Sequence, residues 1–361
     1  MPPSSPVLDR AGCWFLNSGI QESGGGVARY YRTDVSQNAR VSTEITGYAA
    51  SALVYLFSRT GNGAYLDAAV RAGDFLIDRA WDRDLRIFPF EFHSDGLAPE
   101  PLAYFFDSGI IARGLLALWR AASRERYLSA AVACGDSMIR EFASGPRIHP
   151  VLRLPSKTAL PYEPRWSRSP GCYQLKSALA WQDLYEATGE TRFAEAYRQA
   201  LADALGSAPG FLEDGQRERV MDRLHAWGYF LEGMLPCAAR PDCAAATRGG
   251  IARMARLVRE IAPVFVRSDV YAQLLRARLF ADASGVEPLD REAAAYEAEQ
   301  AAAFQLGHAD PRIRHGFWFG RKGGELLPFV NPVSTAFCLQ ALDMWQQYEE
   351  GAFRADRQAL I

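Results

Sequence analysis

The chain carries almost no net charge, with 40 Lys and Arg against 42 Asp and Glu, a formal −2 over 361 residues. Proteins that hold nucleic acid by neutralising phosphates need a basic excess, so that class of partner is not expected. No uninterrupted apolar run reaches the roughly 18 residues that a bilayer-spanning helix needs, so no membrane partner is expected either. Met1-Pro2-Pro3-Ser4-Ser5-Pro6 has neither a basic n-region nor an apolar h-region. Without a secretory signal the expected location is cytoplasmic.

Histidine is scarce, with five copies scattered along the chain and no His-Glu-x-x-His pair. The cysteines stand at 13, 134, 172, 237, 243 and 338, with no Cys-x-x-Cys. Buried free thiols are therefore expected, and neither disulfides nor a metal site. Gly-x-Ser-x-Gly is missing, as is a dinucleotide fingerprint after a strand. Gly24-Gly25-Gly26 is not a phosphate loop, because no Lys-Ser/Thr follows in register. No cofactor is expected.

What is present is a repeated helical hairpin. Segments beginning near Ser42, Asp107, Pro170, Asp222, Ser268 and Asn331 each read as an apolar helix with polar residues at its start. Residues 42–59 are small or apolar on most sides, as in a helix packed all round. Thr60-Gly61-Asn62-Gly63 stops it, since Gly and Asn accept the left-handed conformation at a helix end. The next helix, 64–80, places Leu66, Ala69, Val70, Phe75, Leu76 and Ala80 near one face and Asp67, Arg71, Asp74 and Asp78 on another. A buried helix followed by a half-exposed one recurs at 107–122 with 126–142, 171–188 with 192–205, 221–237 with 244–261 and 269–283 with 291–304. A sixth inner helix at 333–350 lacks an outer partner after it, and the short helix 8–18 can supply one.

One hairpin cannot bury its own apolar face, whereas six closed into a ring bury every inner helix. The expected fold is therefore all-α, an (α/α)6 barrel of six inner and six outer helices forming a single domain over 1–361. The inner starts lie farther apart than in solenoid repeats of about 34–47 residues. The surplus sits in long connections before the inner helices: 86–106, in which residues 86–92 could pair as short strands; 146–170, with six prolines; and 308–331. Long aromatic connections on one side of a rigid scaffold point to function there.

The polar residues at the inner-helix starts are then the candidates for chemistry: Glu44, Asp107, Gln174, His225 with Tyr229, Asp269 with Gln273, and Asn331 with Ser334. Six helix dipoles would converge on that end and favour an anionic ligand. Each candidate also has a structural reading. Glu44 could compensate the dipole behind Ser42-Thr43, and Asp107 could be an N-cap. Yet Tyr104-Phe105-Phe106 precedes Asp107, and desolvation raises a carboxyl pKa into the range of a general acid. Tyr48 follows Gly47 on a tightly packed helix. Tyr229 lies four residues after His225 and shares its face. Trp166 and Trp318 could stack on a sugar, with Arg165, Arg32 or Arg321 clamping an acid group.

Two stretches, Glu44-Ile45-Thr46-Gly47-Tyr48 followed by Tyr65-Leu66-Asp67-Ala68-Ala69, and Phe106-Asp107-Ser108-Gly109-Ile110 followed by Tyr127-Leu128-Ser129-Ala130-Ala131, resemble the six-hairpin glycosidase-like proteins. The second is similar to the unsaturated glucuronyl and rhamnogalacturonyl hydrolases, whose His-Asp-x-Gly-Phe/Tyr segment supplies an active-site Asp. The resemblance implies an (α/α)6 barrel with Asp107 as the corresponding acid. Here Phe106 replaces the His and Ile110 the aromatic, and no second catalytic Asp matches. Related barrels include sugar 2-epimerases and uronate-acting lyases or epimerases. The resemblance thus implies a glycoside hydrolase of short oligosaccharides, uronic-acid-containing ones included, with Asp107 as acid/base, and the helix-start positions offer Glu44 or Asp269 as the second carboxylate. Two alternatives stay open. One is a uronate lyase or sugar epimerase using His225 and Tyr229. The other is a glycan-binding or scaffold protein of polysaccharide biosynthesis that has lost the chemistry.

Overall fold

The structure is a computed structural model that describes residues 5–92, 101–143 and 147–361. Part of the N-terminal reading (1–4), part of the first long connection (93–100) and residue 146 of the second lie outside the described residues.

Among the described residues the chain forms twelve α-helices. They are α1 (Pro6–Asn17), α2 (Thr43–Thr60), α3 (Gly63–Phe75), α4 (Phe105–Ala122), α5 (Glu125–Ser137), α6 (Leu175–Thr188), α7 (Thr191–Ser207), α8 (Arg217–Gly233), α9 (Pro241–Ile261), α10 (Ser268–Ala283), α11 (Arg291–Ala302) and α12 (Pro332–Glu349). None is long and apolar enough to cross a membrane. The elements fall into two compact units, one of Ile20–Arg29 and Asn38–Ser207, the other of Met1–Gly19, Tyr30–Gln37 and Ala208–Ile361.

The first of these units holds three hairpins. Helices α2, α4 and α6 pack side by side, and each also packs against the helix that follows it. Helix α4 is buried around its whole circumference, from Phe105 through Leu116. Its partner α5 buries only Tyr127, Ala131, Cys134, Gly135 and Ser137, a spacing of three and four that leaves the opposite face wet. Both α3 and α5 end in a π-helical turn, at Leu76–Ala80 and Met138–Phe142. A buried ion pair, Arg113 Nε to Asp183 Oδ2 at 2.9 Å, ties α4 to α6.

The other unit repeats the plan with α8, α10 and α12, partnered by α9, α11 and the N-terminal α1. Arg276 is fully buried there, 2.5 Å from Glu232 on α8 and 3.0 Å from Gln340 on α12, with its guanidinium 4.1 Å above the Phe337 ring. One side chain thereby joins three inner helices.

Short antiparallel strands lead into the inner helices. Leu102–Tyr104 pairs with Val151–Arg153 and runs straight into α4. Phe265–Arg267 pairs with Gly320–Lys322 and runs into α10. This pairing fixes the angle at which Asp107 and Asp269 enter their helices. The strand pair expected within residues 86–92 is not formed as such: Asp82 bridges Ile87 and Glu91 bridges Ser42 as isolated contacts, with Arg86 in the left-handed region at φ 54°. Helix α8 begins and ends earlier than the periodicity predicts. Pro236 cannot occupy a helix interior, so 235–237 tightens to a 3-10 turn after Gly233. Because α8 already begins at Arg217, His225 stands two turns inside it, not in its first turn.

Candidate active site

Two polar clusters carry the sequence candidates, one in each unit. The first is built by the close approach of α2 and α4. A Cβ at Gly47 would lie 2.9 Å from the Ile111 Cα, and one at Gly114 would lie 2.5 Å from the Gly47 carbonyl oxygen. Glu44 is one turn before Gly47, and Asp107 one turn before Ile111. The glycine contact therefore brings two carboxylates to one corner.

Neither acid is a cap. The Ser42 side chain accepts from the Ile45 N–H and caps α2. Helix α4 begins after Tyr104, with no side-chain cap, so the reading of Asp107 as an N-cap is corrected. Asp107 is 5% exposed, and its Oδ2 is buried with no hydrogen-bond partner among the described residues. Burial, then the neighbouring Glu44 charge, hold its pKa well above the usual carboxylate range, while the Arg29 guanidinium pulls it down. Glu44 retains some accessible surface, yet burial pushes its pKa up to about 7 against the same Arg29. Arg29 stacks over Phe90 at 5.1 Å and lies 3.8 Å from Glu91.

Aromatic rings and cations surround this corner. Phe106 and Tyr173 are 6.0 Å apart, Trp166 meets Tyr173 edge-on at 5.0 Å, and Phe90 packs on Tyr104 at 5.2 Å. Arg168 pairs with Glu163 at 2.7 Å, and the charges of Arg168 and Arg165 are felt at Tyr104. Gln174 is spent on the loop, accepting from the Gly171 N–H and donating to the Ile148 carbonyl. Tyr48 is packed inside α2 at 1% exposure. The sequence pattern raised Tyr104 only as an aromatic before an acid.

In the other unit His225, Tyr229, Gln273 and Asp269 come together. His225 Nδ1 lies 2.8 Å from Gln273 Oε1, and Gln273 Nε2 donates to the His225 carbonyl at 3.2 Å. The second bond orients the amide, so its oxygen faces the ring and Nδ1–H donates to it. The basic lone pair is then on Nε2. Burial, reinforced by the Arg267 charge, lowers the His225 pKa to about 4. The Tyr229 ring meets the imidazole edge-on at 4.5 Å. Asp269 is committed to Arg267 through bonds of 3.0 and 2.7 Å, and Arg267 also reaches Asp222 at 3.0 Å. Burial alone would raise the Asp269 pKa, but Arg267 outweighs it and holds the carboxylate below its ordinary value. Asp269 thus sits in a different unit from Asp107, as an ionised partner of arginine. The periodicity pointed to Asp269 and gave no sign of Arg267's role.

The remaining candidates are dispersed. Asn331 caps α12 by accepting from the Ser334 N–H at 2.7 Å. Arg32 pairs with Asp34 at the surface. Trp318 bridges Val330, its carbonyl accepts from Ser268 Oγ, and its buried Nε1 has no partner. Among the described residues no group of three or more His, Cys, Asp or Glu is arranged to hold a metal ion.

No family model matches the chain, and no curated protein does. Solved structures do. The chain is similar to a sugar epimerase from a ruminal bacterium, with a TM-score of 0.71 and 10% identity over 94% of this chain and 99% of that one. It is similar to the cellobiose 2-epimerase of Spirochaeta thermophila, with a TM-score of 0.70 and 16% identity over 95% and 97%. It is also similar to the unsaturated glucuronyl hydrolase of Bacillus sp. GL1, with a TM-score of 0.63 and 14% identity over 96% and 97%. The chain has the six-hairpin (α/α)6 fold that these proteins share.

Proposed function

We propose that this protein is a carbohydrate-active enzyme, and specifically a glycoside hydrolase of short oligosaccharides, uronic-acid-containing ones among them. The observation that carries the reading is the buried Asp107 carboxyl beside Glu44, whose Oδ2 has no hydrogen-bond partner among the described residues. Leaving a polar atom buried without a partner costs roughly 1–3 kcal/mol, a cost that a bound substrate would offset. A carboxyl held protonated near neutrality can donate its proton to a glycosidic oxygen. Glu44, with Arg29 favouring its ionised form, is the second carboxylate that positions water or stabilises positive charge at the sugar ring. Arg29 and Arg165 supply cations suited to a uronate, and the partly exposed Trp166 supplies a face for sugar stacking. We place its action in the cytoplasm, where its free thiols would stay reduced.

The test is turnover on 4-nitrophenyl glycosides and uronic-acid disaccharides. Wild-type enzyme should release product from at least one, and Asp107→Asn should lower that turnover by about 10²–10⁴-fold. Turnover at the wild-type rate in Asp107→Asn sinks the reading. Binding without turnover would favour a glycan-binding role instead.

A second reading is an epimerase acting at His225, favoured by the Gln273 bond that leaves Nε2 as a base. It is consistent with the structural likeness to two epimerases. Deuterium uptake at sugar C2 in heavy water, lost in His225→Asn, would support it over hydrolysis.

A further inference from the structure

We propose that the cavity between the Gly24–Gly25 turn and α3 binds a tetrahedral oxyanion, phosphate or sulfate, free or carried on a sugar, with Arg71 and Arg79 as its two cations. No residue of the acid corner lines this cavity, so the site stands or falls apart from the hydrolase reading.

The cavity measures about 230 Å³, and Arg71, Asp74, Asp78 and Arg79 supply its charge. That is below the roughly 300–1,000 Å³ of sites for drug-sized ligands, and it suits an ion or one small sugar derivative. The glycines allow close approach. A Cβ on Gly25, whose φ is 92°, would collide with the Arg71 carbonyl oxygen, and one on Gly24 with Arg79 Nη1. The Arg79 guanidinium therefore lies against the bare turn. The two acids are engaged from α5. Arg126 Nη2 is 2.6 Å from Asp78 Oδ1 and its Nη1 is 3.6 Å from Asp74 Oδ1, to which the Tyr127 hydroxyl also donates at 2.8 Å. The two arginines have neutral partners instead. Arg71 Nη2 donates to Gln21 Oε1 at 3.2 Å, and the Gln21 amide is fixed by its bonds to the Gly25 and Ala68 carbonyls. The Arg79 guanidinium carbon lies 5.2 Å from the Phe92 ring centroid and 5.8 Å from that of Phe75. A ring face attracts the charge without occupying the N–H donors. Among the described residues neither arginine pairs with a carboxylate. With Arg126 included, three guanidinium groups stand against two carboxylates. Arg71, Arg79 and Ser23 are exposed, so an anion can reach them from solvent. One guanidinium fork already satisfies a carboxylate, whereas a tetrahedral oxyanion has oxygens for two forks.

The experiment compares wild type, Arg71→Gln, Arg79→Gln, the Arg71→Gln/Arg79→Gln double variant, Gly24→Ala, and Arg198→Gln as a control for an exposed charge elsewhere, on α7. Calorimetry at fixed ionic strength titrates each with phosphate, sulfate, glucose 6-phosphate, glucose and chloride. Wild type should bind phosphate and sulfate and give no heat with chloride. Each Arg→Gln change should weaken that binding roughly tenfold, as for loss of one charge-assisted pair, and the double variant should abolish it. Gly24→Ala should fold normally, because its methyl meets only the free end of a flexible side chain. It should weaken binding as Arg79→Gln does, by moving that guanidinium off the turn. Arg198→Gln should bind as wild type does. Tighter binding of glucose 6-phosphate than of phosphate, with glucose silent, identifies a phosphorylated sugar as the ligand, and equal binding identifies the free ion. The assignment is overturned by a wild type that binds neither phosphate nor sulfate, by wild-type affinity in the double variant or in Gly24→Ala, or by an equal loss in Arg198→Gln.

Discussion

Gly47 lies against Ile111 so closely that a single added methyl group would stand 2.9 Å from the Ile111 Cα. This contact sets the distance between α2 and α4, and through it the meeting of Glu44 and Asp107 one turn away. Gly47→Ala should therefore do two things. It should destabilise the protein by about 1–3 kcal/mol, the usual range for overpacking a tight core. It should also weaken catalysis beyond what stability explains, because it pushes the two acids apart. Chemical unfolding and kcat/KM measured on the same samples check this.

The acid corner should leave a signature in the pH dependence of stability. Both folded-state pKa values are raised, Glu44 from 4.5 to about 7 and Asp107 well above 3.8, each chiefly by burial. A raised carboxyl pKa means that folding favours the protonated form. Its stabilising contribution is complete below the unfolded pKa and is lost as pH rises through the folded one. The melting temperature should fall from about pH 4.5 upward, past pH 7. Glu44→Gln and Asp107→Asn cannot ionise and should each flatten that fall. Parallel wild-type and variant curves would count against the assignment.

Activity should follow the same pair. Turnover needs one proton on the pair, carried by Asp107, with Glu44 ionised. The kcat/KM profile should be bell-shaped, with its acidic limb near the Glu44 value of about 7 and its optimum on the alkaline side. Asp107→Asn should lose about 10²–10⁴-fold, the range for removing a general acid. Glu44→Gln should lose the acidic limb along with most activity.

Arg276 holds α8, α10 and α12 together while sealed from water. Arg276→Leu strips the guanidinium from buried Glu232, and breaking a buried pair in this way costs about 3–5 kcal/mol. Denaturant unfolding should register that loss. Arg276→Leu combined with Glu232→Leu should recover much of it, since neither partner is then left as an unpaired buried charge.

The imidazole of His225 should be neutral across the physiological range and protonated on Nδ1. Nitrogen-15 spectra should report that tautomer in wild type and titration only near pH 4. Gln273→Leu removes the acceptor and should mix the tautomers. A wild-type imidazole that titrates near 6.5 would contradict the burial and the Arg267 charge that lower it.

The hairpin repeat was legible because it is local. An all-round apolar helix, a Gly-Asn stop and a helix with one wet face need only the 3.6-residue period and the turn residues to be recognised. The predicted helices lie within a few residues of those observed, and the early end of α8 traces to Pro236. The site was only partly legible. Glu44, Asp107, His225 and Asp269 stood out as polar residues near predicted helix starts, but position along a helix does not separate a cap from an acid. Asn331 proved to be a cap, and Glu44 and Asp107 did not.

Residue order alone determined the helices, their buried and exposed faces, and the long connections between hairpins, because periodicity and turn chemistry act within a few residues. Tertiary structure decided which acids became neighbours and which were neutralised. A pKa is set by burial and by charges and hydrogen bonds distant in sequence: Glu44 and Arg29 act on Asp107 through their charge, and Gln273 on His225, 48 residues away, through a hydrogen bond. Asp269 is the exception that marks the limit. Its arginine is only two residues back, yet only the packing of the strand before α10 turns that guanidinium onto the carboxylate.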